Sequence, residues 1–310
     1  MNPTAGGFGY GDVGVRCLRV LLSAGVDVRL VVTHADDPAE NRWYDSVAAL
    51  AADCGLPCTT PAAVDDPGLA VGVQSLAPDF IFCFYYRSLL GAPLLAAAGR
   101  GAFNMHGSLL PKFRGRAPVN WAILRGATET GATLHHMVAR ADAGDIVDQL
   151  AVPILRDDDA LAVFRKVAVA AEIVLARSLP GMVDGSAPRT PQPILEGEYF
   201  GRRHPEDGRI DWSQTAQEIH DLVRAVAPPF PGAFANVQGE RWMILRTRVL
   251  PRAGAAAVGP PRLTAEAGRC IVECADGGRL QLLAAATPRG PVDLAALSVQ
   301  LKRAPVILAS

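Results

Sequence analysis

The sequence predicts an α/β protein, a mostly parallel sheet with helices on both faces, followed by a smaller β-rich, barrel-like region. Three observations predict it. Over the first two-thirds of the chain, short apolar runs alternate with helical stretches, as in a parallel sheet built through crossover helices. Between residues 188 and 205 the composition turns polar and carries Pro188, Pro191, Pro193 and Pro205. Beyond that point come short strand-like runs separated by Gly and Pro, the habit of a small barrel. The expected division is an α/β domain over 1–187, a linker over 188–205 and a β-rich domain over 206–310.

Residues 28–33 (VRLVVT) read as a buried strand, and 44–53 as a helix with Val47, Leu50 and Ala51 on one face. Residues 79–84 (DFIFCF) form a second buried strand, 88–98 a helix and 101–104 a short third strand. A short helix over 118–125 has Pro118 at its start, where a missing N–H is harmless. Strands follow over 132–138 and 146–154, then a long helix over 159–179. In the second region, 213–227 is helical. Strands are expected over 233–237, 241–247, 270–275 and 279–284, with the Gly- and Pro-rich segment 252–261 among them.

The N-terminal MNPTAGGF makes a poor strand, with only Phe8 bulky and apolar near the turn that follows. Gly9, Gly11 and Gly14 nevertheless spell G-x-G-x-x-G, with Asp36 after the next strand, the outline of a dinucleotide site. The alternative is a strand-to-helix turn that needs glycine for its backbone.

Composition excludes several classes. A net charge of −1 and a pI near 6.6 supply no basic field for a nucleic acid. No apolar run reaches membrane-spanning length, and the first residues lack a signal-peptide layout, so a cytoplasmic protein is expected. The six cysteines (Cys17, Cys54, Cys58, Cys83, Cys270 and Cys274) form no C-x-x-C pair and no zinc-like spacing with His. They read as free thiols of a reducing compartment, and no metal is expected.

The chemistry concentrates in residues 101–115, GAFNMHGSLLPKFRG. Asn104 and His106 are two apart at the end of an apolar run, so in extended backbone they share a face. The turn-rich SLLPKFRGRAP cannot continue the strand and leaves His106 on a loop, well placed for proton transfer near neutral pH. Asp142, in the ADAGD that follows the strand bearing His135 and His136, reaches His106 if the two strands are neighbours. A carboxylate there would orient the imidazole and favour its charged form, while Asn104 would donate to an oxyanion. With no Ser or Cys nucleophile in the set, direct transfer through a tetrahedral intermediate is expected. A capping Asn and a satisfied loop His are the plainer alternative.

FNMHGSLLPKFRGRAP with the downstream ADAG resembles the 10-formyltetrahydrofolate-dependent formyltransferases, and the resemblance spans nearly the whole chain. It implies a Rossmann-like N-terminal catalytic domain, an OB-like C-terminal domain and catalysis by Asn104, His106 and Asp142. It also implies a reduced-folate site lined by Ser88, Leu89 and Leu90, by Val138, Ala139, Arg140 and Ala141, and by Arg116, whose alternative is a solvated loop arginine. The stretches THADDPAENRWYDSVAALA, FCFYYRSLL, FGRRHPEDGRIDW and VRAVAPPFPGAF are most similar to the branch that formylates UDP-4-amino-4-deoxy-L-arabinose in lipid A modification and polymyxin resistance. Its bifunctional members carry a decarboxylase half that this sequence lacks, which leaves a stand-alone enzyme or an excised domain. The implied partners are a nucleotide sugar and 10-formyltetrahydrofolate, with no membrane insertion and the oligomeric state open.

Three other readings compete. In a methionyl-tRNA formyltransferase the loop after the second strand would carry Lys and Arg for phosphates, but here it begins HADDPAE. An NAD-dependent oxidoreductase would use the Gly9–Gly14 turn. A non-catalytic binding module is opposed by the intact Asn104, His106 and Asp142. His135 and His136 are expected on opposite faces of their strand, one solvent-facing and one packed. Asp145 is expected in a structural contact, and Trp121 and Trp212 in packing. Arg202 and Arg203 suit either a diphosphate or a contact within the linker.

Overall fold

The computed structural model describes residues 2–252 and 259–308. In chain order the elements are β1 (Thr4–Gly9), α1 (Gly11–Ser23), β2 (Asp27–Val32), α2 (Val47–Asp53), β3 (Cys58–Thr59), α3 (Pro67–Ser75), β4 (Phe80–Phe84), α4 (Ala92–Leu95), β5 (Gly101–His106) and β6 (Arg114–Gly115). They continue with α5 (Pro118–Leu124), β7 (Glu129–His136), β8 (Ile146–Pro153), α6 (Ala160–Asp184), β9 (Tyr199–Phe200) and α7 (Ala216–Ala225). The remainder are β10 (Ala233–Val237), β11 (Glu240–Leu250), β12 (Arg262–Glu266), β13 (Arg269–Glu273), β14 (Arg279–Thr287), β15 (Gly290–Pro291), α8 (Leu294–Leu301) and β16 (Val306–Ile307).

The chain forms two compact units. One takes the chain up to Pro118 with Glu129–Pro153 and Phe164–Gly201; the other takes Val119–Thr128, Ile154–Val163 and the chain from Arg202 onward. The first is built on a seven-stranded sheet in the order β3-β2-β1-β4-β5-β7-β8. Its pairs are parallel from β3 to β5, while β5–β7 and β7–β8 are antiparallel. The sheet is therefore largely parallel with an antiparallel edge, and helices flank it. Phe80, Ile81, Phe82, Cys83 and Phe84 of β4 are all buried, the continuous apolar run of a strand covered on both faces.

The weak N-terminal segment is a strand after all. β1 lies between β2 and β4, and five of its six residues are buried. Its small residues suit that central place: a Cβ on Gly14 of α1 would lie 2.8 Å from Val47 and 3.1 Å from the Gly9 backbone. Helix and strand approach too closely there for any side chain.

Other boundaries shift for local reasons. The helix expected over 44–53 begins at Val47, because the Ser46 hydroxyl accepts from the Ala49 N–H and caps it. The helix expected over 88–98 shrinks to Ala92–Leu95, with Pro93 in its first turn. The strand expected over 101–104 runs to His106, so His106 is the last strand residue and not a loop residue. The long helix extends through Pro180 to Asp184.

In the second unit a curled antiparallel sheet runs β10-β11-β14-β13-β12-β16. Strand β12 and helix α8 were not among the expected elements. Asp293 caps α8 by accepting from the N–H groups of Ala295 and Ala296. The expected segment 252–261 lies partly outside the described residues, at 253–258. Trp212 is buried, and His220 is buried between the Thr247 hydroxyl and the Arg156 carbonyl. Among the described residues no helix is long and apolar enough to cross a membrane.

Candidate active site

The polar centre of the first unit is built by the β5–β7 pair. Antiparallel register sets Asn104 opposite His135 and His106 opposite Thr133. Asn104 and His106 do share a face, because one carboxylate touches both. Asp142 Oδ1 is 3.4 Å from Asn104 Nδ2 and 3.5 Å from His106 Nδ1. Asp142 comes from the loop after β7 with a φ of +52°, a left-handed conformation that Asp adopts more readily than most residues. The Gly115 N–H donates to its Oδ2 at 2.9 Å, and the Gln192 amide donates to the carbonyls of Asp142 and Gly144.

Burial of Asp142 would by itself raise its pKa. The facing His106 and the Gly115 N–H outweigh that, holding the carboxyl well below the usual carboxylate range. Asp142 is therefore ionised near neutral pH.

His106 is 6 % exposed, and its Nε2 donates to the Phe113 carbonyl at 2.9 Å. The nitrogen turned toward Asp142 is Nδ1. Ser108, in the loop beyond, is fully buried and its hydroxyl donates to the Lys112 carbonyl at 2.6 Å. That hydroxyl is committed to the loop. Among the described residues no group of His, Cys, Asp and Glu could hold a metal ion.

Leu90, of the first segment expected to line a folate site, belongs to an apolar cluster, and Met137, the residue before the second segment, packs against it. Beside these anchors, Leu89 is 69 % exposed and Val138 is 44 % exposed. Ser88 and Ala141 are partly buried, while Ala139, Arg140 and Arg116 are exposed. The Arg116 N–H donates to the Phe200 carbonyl, which ties its backbone to Phe200.

The Gly-rich turn is occupied by protein. A Cβ on Gly11 would lie 3.5 Å from the Tyr44 ring, so Tyr44 covers the glycine that a pyrophosphate would approach. Tyr44 bonds to the Tyr10 hydroxyl at 2.8 Å, Glu40 pairs with Arg87 at 2.6 Å, and Arg87 lies over the Tyr10 ring. The acidic loop after β2 is thereby pinned over the turn, and its Arg42 is paired with Asp36.

Comparison with known proteins follows the same lines. A family model described as formyl transferase matches residues 13–179, and one described as formyl transferase, C-terminal domain, matches 203–291. The chain belongs to the formyl transferase family. Among solved structures, this formyl transferase resembles an N-formyltransferase from Helicobacter canadensis in complex with folinic acid and dTDP-3-aminofucose. That match has 19 % identity and a TM-score of 0.70, covering 91 % of this chain and 99 % of the other. WlaRD, a sugar 3N-formyl transferase solved in the presence of dTDP and 5-N-formyl-THF, matches at 18 % identity and TM-score 0.70, covering 94 % and 99 %. A 4-N formyltransferase from Francisella tularensis matches at 19 % and 0.63, covering 77 % and 95 %.

Sequence reasoning missed three parts of this formyl transferase's polar centre. Of His135 and His136, one expected packed and one solvent-facing, His135 is the packed one at 2 % exposed, and the unforeseen feature is that its Nε2 lies 3.0 Å from Asn104 Nδ2. The Gly115 N–H and Gln192 act through backbone and loop geometry, for which the sequence carries no sign. Asp145 pairs with Arg189, as a structural contact should, and Arg203 lies over the Trp121 ring.

Proposed function

We propose that this formyl transferase moves a formyl group from 10-formyltetrahydrofolate to the amine of a nucleotide sugar, UDP-4-amino-4-deoxy-L-arabinose, in lipid A modification and polymyxin resistance. The observation that carries the reaction is the single Asp142 carboxylate reaching both Asn104 and His106. The acceptor rests on the acidic loop after β2 and on the likeness to a sugar 3N-formyl transferase and to an N-formyltransferase solved in complex with dTDP-3-aminofucose.

The residues at hand fit a reduced folate. Leu89 and Val138 offer exposed apolar side chains on backbone anchored by Leu90 and Met137. Main-chain groups of 88–90 and 138–141 suit a pterin edge, which alternates donors and acceptors. Bound there, 10-formyltetrahydrofolate supplies a formyl group already attached to an amine nitrogen.

The protein's own part is electrostatic and protonic. Asn104 presents an amide N–H to the carbonyl oxygen on which negative charge develops. His106 carries the proton lost by the attacking amine to the nitrogen that leaves. Its Nε2 is tied to Phe113, so Nδ1 is the atom that exchanges this proton. Asp142 remains anionic and holds both side chains in place. No acid or base beyond His106 is required.

The test is a parallel assay of purified protein with 10-formyltetrahydrofolate and either UDP-4-amino-4-deoxy-L-arabinose or methionyl-tRNA. Formylated sugar nucleotide is expected. Formylated tRNA with no sugar product would reverse the acceptor.

A further inference from the structure

We infer that His135 is a positioning residue: held as its Nδ1–H tautomer, it accepts from Asn104 and so turns the second amide hydrogen toward the reacting oxygen. This rests on the reading of Asn104 as the donor to that oxygen.

The inference follows from which atoms can donate. His135 Nδ1 lies 2.8 Å from the His136 carbonyl oxygen. A carbonyl oxygen only accepts, so Nδ1 carries the proton, and in the neutral ring Nε2 is a lone pair. That lone pair lies 3.0 Å from Asn104 Nδ2, an atom that only donates. The amide therefore faces the ring with its nitrogen. Reversed, it would set its oxygen against the Nε2 lone pair and against the Asp142 carboxylate.

One of the two Nδ2 hydrogens is thus committed to His135. The other has Asp142 Oδ1 at 3.4 Å, a long contact that a substrate oxygen can replace. Donation from a protonated Nε2 to Asp142 would span 3.6 Å and would set two N–H groups against each other at the shorter contact. The arrangement is built into the sheet, because Asn104 and His135 are directly paired across β5 and β7.

Two measurements test it. In long-range proton–nitrogen spectra of protein labelled with nitrogen-15 histidine, with His135 signals assigned by their loss in His135→Gln, the Nδ1–H tautomer is expected at pH 7. An Nε2–H tautomer or a doubly protonated ring would overturn the inference. In kinetics, His135→Leu should lower kcat about 10²-fold, the scale of losing an oxyanion donor, with the KM for 10-formyltetrahydrofolate nearly unchanged. His135→Gln, whose side-chain oxygen can accept the same hydrogen, should recover roughly tenfold of that loss. Equal rates for the Leu and Gln variants, or an unaffected Leu variant, would overturn it. If the wild-type protein formylates no sugar amine, the functional reading fails, while the tautomer measurement still decides the role of His135.

Discussion

Asp142 Oδ1 lies 3.5 Å from His106 Nδ1, while the Phe113 carbonyl lies 2.9 Å from Nε2, so both ring nitrogens of His106 face acceptors. The acid side of the stability profile should report this. Asp142 has a folded-state pKa below its unfolded value of roughly 3.9. Its stabilising contribution is thus complete above the unfolded value and is lost as pH falls through the folded one. The difference in Tm between wild type and Asp142→Asn should still be present at about pH 5 and shrink below about pH 4. A difference that already vanishes near neutral pH would contradict the low folded value.

Asn104→Ala and His106→Ala should keep the fold, since neither side chain belongs to the apolar core. Turnover should fall by about 10²–10⁴-fold, the usual range for losing an acid–base or oxyanion group. Circular dichroism with steady-state kinetics checks both halves of this expectation. Near-normal turnover by either variant would remove that residue from the chemistry.

Gly107 follows His106 at a point where no side chain fits. A Cβ there would lie 1.7 Å from the Tyr85 hydroxyl. Gly107→Ala should destabilise the protein by about 1–3 kcal/mol through overpacking, and should lower activity by displacing the end of β5. Tyr85→Phe should be neutral or stabilising, because the buried Tyr85 hydroxyl has no hydrogen-bond partner among the described residues. Denaturant midpoints of the two variants give the comparison, and a strongly destabilised Tyr85→Phe would reveal a partner for that hydroxyl.

Much of this was legible from pattern. The alternation of apolar runs and helices marked the sheet, and the spacing of Asn104 and His106 set them on one face. His135 was not legible. A two-residue period says that His135 and His136 point opposite ways, but not which face bears the site. That is fixed by the β5–β7 register, which depends on long-range pairing. β1 escaped recognition because TAGGFG lacks bulky side chains; packing against α1 demands that smallness and overrides strand propensity. The helix expected over 88–98 was over-read from composition, since tertiary contacts hold Leu90 in a loop against the apolar cluster.

The Gly9–Gly14 turn should bind no nicotinamide dinucleotide, because Tyr44 and the loop pinned by Glu40 and Arg87 occupy the approach to Gly11. Titration of NAD and NADH followed by protein fluorescence should give no saturable change. Tight, saturable binding would reopen the oxidoreductase reading.

The most direct test of the central claim is product analysis by mass spectrometry after incubating wild-type protein with 10-formyltetrahydrofolate and UDP-4-amino-4-deoxy-L-arabinose. N-formylated sugar nucleotide and tetrahydrofolate in equal amounts are expected, with both lost in His106→Ala. Tetrahydrofolate released without formylated sugar, or product formed undiminished by His106→Ala, would contradict the account.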